Sequence, residues 1–129
     1  MLMKALLIVG FGGGIGAIAR YKLSGLVLHH SLDWRFPAGT FVVNVVGCLV
    51  AGVLAALVEK HNYFTPETRL FLFTGILGGF TTFSAFGVET VALLRRNELG
   101  IASLYIGLSV TCGLAVLWGA MKVTEIASR

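Results

Sequence analysis

The chain has 129 residues, 57% of them hydrophobic and 12% charged, with a clearly positive mean hydropathy. A soluble domain carries about twice that charged fraction. Four helical crossings of a bilayer, at roughly 20 apolar residues each, leave room only for short loops, so residues 1–129 read as a single all-α membrane domain. The net charge of +4 sits at loop ends without a basic stripe, which argues against a nucleic-acid partner.

The first apolar segment runs from about Leu2 to Leu28, with Arg20 and Lys22 near its far end. No Ala-x-Ala style cleavage site interrupts it, so it reads as a retained helix rather than a signal peptide. Its glycine run matches a relaxed dinucleotide fingerprint at Gly12, Gly14 and Ala17, but the alternating strand and helix pattern of such folds does not follow. Gly12 and Gly16 stand four apart, and small residues at that spacing let helices approach closely in lipid.

A polar loop, His29 to Pro37, holds Asp33 and Arg35. The second segment spans about Gly39 to Val58 and closes at Glu59, Lys60, His61 and Asn62. Within it lies Asn44, whose amide is costly in hydrocarbon unless buried or facing a cavity. It serves either as an interhelical hydrogen bond or as a donor facing an ion path, since its NH2 has two hydrogens to give.

Thr65-Pro66-Glu67 is a helix start: a capping hydroxyl, proline at the first helical position, then an acid in the first turn. The third segment runs from about Arg69 to Leu94 and ends at Arg95 and Arg96. Paired glycines, Gly78-Gly79, and the Thr81-Thr82 step lower helix propensity at mid-membrane. A break there frees backbone carbonyls, which is tolerable only inside protein or beside a cavity; the other reading is a small-residue packing face. Phe83 and Phe86, three apart, lie near one face, as packing bulk or as ring edges weakly attractive to an anion. Glu89 continues that spacing as a vestibule residue or as the partner of a base.

The fourth segment spans about Leu99 to Val123, with Arg129 at the tail. Tyr105, Ser109 and Gly113 share one helical face, either as interhelical glue or as the lining of a wet path. Cys48 and Cys112 lie inside apolar runs, where thiols pack as small hydrophobes. His29, His30 and His61 read as solvated loop residues, since metal ligation needs converging partners.

With four crossings, one membrane side holds Lys4, Lys60, Arg69, Lys122 and Arg129, and the other holds Arg20, Lys22, Arg35, Arg95 and Arg96. That balance gives the positive-inside rule nothing to act on. Either loop charge is a poor guide to orientation here, or the chain inserts both ways; the expectation is this dual topology, which allows an antiparallel homodimer about a two-fold axis in the membrane plane.

Gly39, Thr40 and Asn44, followed by Gly78-Gly79-Phe80-Thr81-Thr82-Phe83-Ser84-Ala85-Phe86, resemble the Fluc fluoride channels, also called the CrcB family; Gly12, Gly13, Gly16 and Arg20 add a similar pattern. The resemblance covers essentially the whole chain. It implies an antiparallel dual-topology homodimer in the bacterial inner membrane, enclosing two fluoride pores that export cytoplasmic fluoride passively and give fluoride resistance. It further implies a pore lined by Asn44, Phe83 and Phe86 with a hydroxyl track at Tyr105 and Ser109. A structural Na+ at the dimer interface would be held by the backbone carbonyls of Gly78 and Thr81. Arg20 and Glu89 are weaker candidates for a vestibule. Ala85 stands where the family often has Thr, Gly87 where it often has Ser, and Gly113 and Leu117 where the hydroxyl track often continues.

The alternative is a small multidrug-type four-helix exporter. Such antiporters need a buried carboxylate, usually in the first helix, and the first segment has no Asp or Glu. An enzyme is not expected, because no nucleophile, base and orienting acid are grouped.

Overall fold

A computed structural model describes residues 1–61 and 63–128 of the chain. Asn62 and Arg129, and the side chain of His61, lie outside the described residues. Among the described residues every regular element is helical. Helices α1 (Leu2–His30) and α2 (Ala38–His61) are followed by a third span in pieces: α3 (Pro66–Arg69), a π-helical stretch (Leu70–Leu77), α4 (Gly78–Phe80) and α5 (Phe83–Arg95). Helix α6 (Leu99–Ala127) closes the chain. Each of the four spans is long and apolar enough to cross a membrane, the shortest having 23 residues. At about 1.5 Å per residue that is about 34 Å, against a hydrocarbon core of about 30 Å. The chain is a multi-pass membrane protein.

Three of the spans run past the expected apolar limits, so His29 and His30 end α1, and His61 ends α2, rather than lying in loops. Hydropathy marks where lipid stops, whereas a helix stops where its last carbonyls find other donors. At α1 the Ser31 hydroxyl donates to the Val27 carbonyl at 2.8 Å. The start of the third span follows its sequence signature: the Thr65 hydroxyl accepts the Thr68 N–H at 3.2 Å, with Pro66 in the first position. Its end at Arg95 is set by Asn97, whose positive φ of 59° turns the chain so that the Glu98 N–H reaches the Leu93 carbonyl at 3.0 Å.

The helices pair in a way that the third span makes possible. Its first half lies along α1, while α2 lies along α6 and α5 packs against α6. The α1 contact is built on backbone approach. Gly12 and Gly16 are the buried residues of α1. A Cβ on Gly12 would stand 2.9 Å from the Phe71 carbonyl oxygen, and one on Gly16 would collide with the Ile76 carbonyl. The glycine run is therefore a packing surface within one uninterrupted helix, as its spacing implies.

Both chain ends and the middle loop share one side. Lys4 pairs with Glu67 at 3.3 Å, the Lys60 ammonium donates to the Glu125 carbonyl, and Lys122 pairs with Glu125 at 2.9 Å. The accessible surface is 8310 Å², where a compact soluble chain of this mass has about 6,600 Å². No span has more than 22% of its apolar window buried, so most of the outer surface is hydrocarbon meant for lipid or another subunit.

Gly16→Ala is expected to destabilise the α1 contact by about 1–3 kcal/mol, because backbone must shift to admit the methyl. Gly10→Ala, at a position with nothing within 4 Å of the added carbon, should leave stability unchanged. Denaturant unfolding of the two variants in detergent, followed by circular dichroism, measures the difference.

Candidate functional site

The break in the third span falls at the Thr81-Thr82 step, while Gly78 and Gly79 stay helical. Thr81 (φ −81°, ψ 154°) and Thr82 (φ −148°, ψ 112°) are both extended. Two extended residues interrupt the helical hydrogen-bond ladder, and at mid-membrane no water replaces it. Helix α2 supplies the remedy. Thr40, Asn44 and Gly47 follow one another at four and three residues and so share a face, and that face is turned to the third span.

Asn44 holds the break. Its carbonyl oxygen accepts the Thr82 N–H at 2.9 Å, and its amide nitrogen donates to the Thr82 carbonyl at 3.0 Å. One side-chain amide thereby pairs both polar groups of a single residue. Its second amide hydrogen makes no hydrogen bond among the described residues. Gly47 makes room beside it, since a Cβ there would collide with the Thr81 Cγ2 methyl. Thr82 then caps α5, its hydroxyl accepting the Ala85 N–H at 3.2 Å.

Asn44 also leaves carbonyls free. In a regular helix the Gly78 carbonyl would accept the Thr82 N–H, which here goes to Asn44. Among the described residues no other donor replaces it, nor does one reach the Thr81 carbonyl. Gly78 is exposed, so the freed oxygen lies on an outer surface of the subunit.

Below the break, α5 carries Phe86 and Glu89 one turn apart towards α6. Glu89 takes two hydroxyls: Thr40 donates to Oε1 and Tyr105 to Oε2, each at 2.7 Å. The partner of Glu89 is thus a hydroxyl pair from two helices, not the base that its sequence position allowed. Tyr105 is fully buried, with its ring 5.1 Å from Phe86 and 5.3 Å from Phe36 between centroids. One turn further along α6, the Ser109 Oγ is buried and has no hydrogen-bond partner.

Arg20 and Glu89 open onto one cavity of about 470 Å³, between α1, the start of α2 and α5, with Ser24, Thr40 and Thr82 also on its wall. It occurs where α5 has parted from α1. Among the described residues the two charges form no ion pair within 4 Å.

The candidate residues therefore fall into two sets. Asn44, Phe86, Glu89, Tyr105 and Ser109 gather within the subunit, and Arg20 stands at its cavity. Phe83 does not join them fully: it is 83% exposed, although its ring remains 5.6 Å from that of Phe86. Thr40 was read from the sequence only as part of a motif. Its spacing of four from Asn44 is the signal that it faces the same neighbour.

Residues 7–121 match a family described as CrcB-like protein, Camphor Resistance (CrcB). The chain is 55% identical over 127 residues to a Methylobacillus flagellatus protein named fluoride-specific ion channel FluC, covering 98% of this chain and 99% of that one. It is 42% identical to a protein of the same name from Flavobacterium psychrophilum, over 95% of this chain and 98% of that one. A Cereibacter sphaeroides protein, also so named, is 46% identical over 96% of this chain and 97% of its own length.

Asn44→Ala leaves the Thr82 N–H and carbonyl without partners in a water-poor interior and should cost about 2–4 kcal/mol. Asn44→Asp keeps an acceptor for the N–H but offers no donor to the carbonyl, so its loss should be comparable. Thermal unfolding of both variants, with amide hydrogen exchange at Thr82, provides the check: exchange should rise sharply in Asn44→Ala.

Proposed function

The chain belongs to the CrcB family, and on that premise we propose that it is a fluoride-specific ion channel, passing cytoplasmic fluoride outward down its electrochemical gradient and so conferring fluoride resistance. It is a channel and not an enzyme. Fluoride enters cells as neutral HF, dissociates near neutral pH and is trapped as the anion. A membrane potential drives the anion out at about 2.3 kcal/mol per charge per 100 mV. Family membership also sets aside the four-helix multidrug exporter.

The observation that carries the pathway is the Ser109 hydroxyl, buried without a partner one turn from Tyr105. A buried donor left over from folding is free for an ion. The other proposed donors are the spare hydrogen of Asn44 and the rings of Phe86, which packs on Tyr105, and of Phe83 beside it, whose positive edges attract an anion weakly. Weak donors of this kind suit conduction, because an ion must be released as readily as it is admitted. Arg20 at its cavity raises the local concentration of anions. Tyr105 donates to Glu89, so serving fluoride requires that its hydrogen be turned away from the carboxylate. Gly113 offers no hydroxyl where the track would continue, which leaves Tyr105 and Ser109 as its donors on α6.

The working unit is proposed to be an antiparallel, dual-topology homodimer in the bacterial inner membrane. Supporting this are the balanced loop charges and the exposure of Phe83 and Gly78 at mid-span, where a second subunit would cover both. A structural Na+ at that interface fits the donor set. A hard cation takes oxygen ligands, and the carbonyls of Gly78 and Thr81 lack helical partners. The ion would neutralise those oxygens and tie the two breaks together.

Proteoliposomes loaded with fluoride, given a potassium ionophore and followed with a fluoride electrode, test the function. Rapid fluoride release without chloride release is expected. Phe83→Ile and Phe86→Ile should each abolish the flux while the dimer still assembles by size-exclusion chromatography. Unchanged flux in either variant would remove that ring from the pathway.

A further inference from the structure

Helix α2 separates two cavities of opposite character. Thr40 and Val43 face the cavity of Arg20 and Glu89, whereas Phe41 and Val42 face a larger groove of about 710 Å³. That groove is walled by the last turns of α1, by Phe36 and Phe41, and by Leu104 and Leu108 one turn apart on α6. It therefore lies on the flank of α2 turned away from the proposed pathway. Two of its wall residues form an aromatic pair: Phe36 meets Phe41 edge to face at 5.4 Å.

The polar groups at its mouth do not make it a site for a polar ligand. His30 Nδ1 bonds to the Leu26 carbonyl at 2.9 Å and the Ser31 hydroxyl to the Val27 carbonyl, both within their own helix. The wall that remains is hydrocarbon. In the loop between α1 and α2, Trp34, 65% exposed, lines the groove, and between it and Phe36 in the chain is the exposed Arg35, which makes no ion pair or hydrogen bond among the described residues. Tryptophan at the headgroup level and a free cation beside an apolar slot are complementary to one kind of molecule.

We propose that this groove binds an anionic phospholipid, with an acyl chain lying along Phe41, Leu104 and Leu108 and the phosphate at Arg35. Asp33 is the one acid of this loop, and Lys22, His29 and His30 add basic groups at the same end of α1, so the rim favours an anionic over a zwitterionic headgroup. The binding does not depend on the fluoride reading. Its test needs no ion flux, so the failure of either is recognised separately.

The chain has two tryptophans, and in a Trp118→Phe background Trp34 is the sole reporter. The protein is reconstituted in phosphatidylcholine vesicles carrying an equal small fraction of either acyl-brominated phosphatidylglycerol or acyl-brominated phosphatidylcholine. Quenching of Trp34 should correspond to about fivefold higher occupancy by the glycerol lipid, the size that one basic residue near a lipid surface provides. Arg35→Gln should abolish the preference and Arg35→Lys should keep it. Arg95→Gln, on the same membrane side but away from the groove, should leave it intact. Circular dichroism and a monodisperse elution peak establish that each variant is folded. Equal quenching by both lipids in the parent, a preference that survives Arg35→Gln, or one lost equally in Arg95→Gln would each overturn the proposal.

Discussion

A backbone N–H cannot be left bare in hydrocarbon, and the structure of this chain turns on how one is satisfied. The third span breaks at Thr81 and Thr82, and the Asn44 side chain pairs both polar groups of Thr82. In water such a break would be trivial, because solvent would take the freed groups. Within a bilayer each unsatisfied group costs several kcal/mol, so the broken helix exists only where α2 places an amide against it. Gly47, one turn along the same face, lets α2 approach closely enough.

The break then decides which helices meet. An unbroken third span would keep one neighbour along its length. Instead its first half lies on α1 and its second half on α6. That change of partner brings Phe86 and Glu89 to Tyr105 and opens the cavity between α1 and α5. It also strips the Gly78 and Thr81 carbonyls of donors. The features proposed for conduction are consequences of one local departure from helical geometry, and the same polar face of α2 supports each of them. Thr40 secures Glu89, and Asn44 secures Thr82 one turn away.

The subunit is unevenly finished. On the inner side of α2 the polar groups are largely paired, with the Ser109 hydroxyl as a buried exception. On its outer surface Phe83 and Gly78 stand uncovered at mid-span. A lone subunit in lipid would expose a free carbonyl to hydrocarbon, which gives a physical reason for a second copy. The opposite flank of α2 has the reverse character, an apolar groove with Trp34 on its wall.

The sequence by itself determined the four spans, because a bilayer requires long apolar runs and 129 residues allow nothing else. It determined the start of the third span, because capping chemistry is local. It also determined the glycine face of α1, because a period of four residues is a helical repeat. It placed a weakness between Gly78 and Thr82, but not the residue where the chain breaks. The glycines stay helical and the threonines do not, since the outcome rests on Asn44, 38 residues away. Nor did it signal the π-helical stretch at Leu70–Leu77, where Thr74 and Gly75 interrupt an otherwise apolar run without marking a change of helix type. Spacing put Phe83 and Phe86 near one face, yet one is exposed and the other packs on Tyr105. Glu89 was open between two roles until the fold brought hydroxyls from α2 and α6 to its two oxygens. Local propensity and periodicity are properties of a segment, and they are legible in order. Which polar group answers another across a membrane is decided only when the helices are packed.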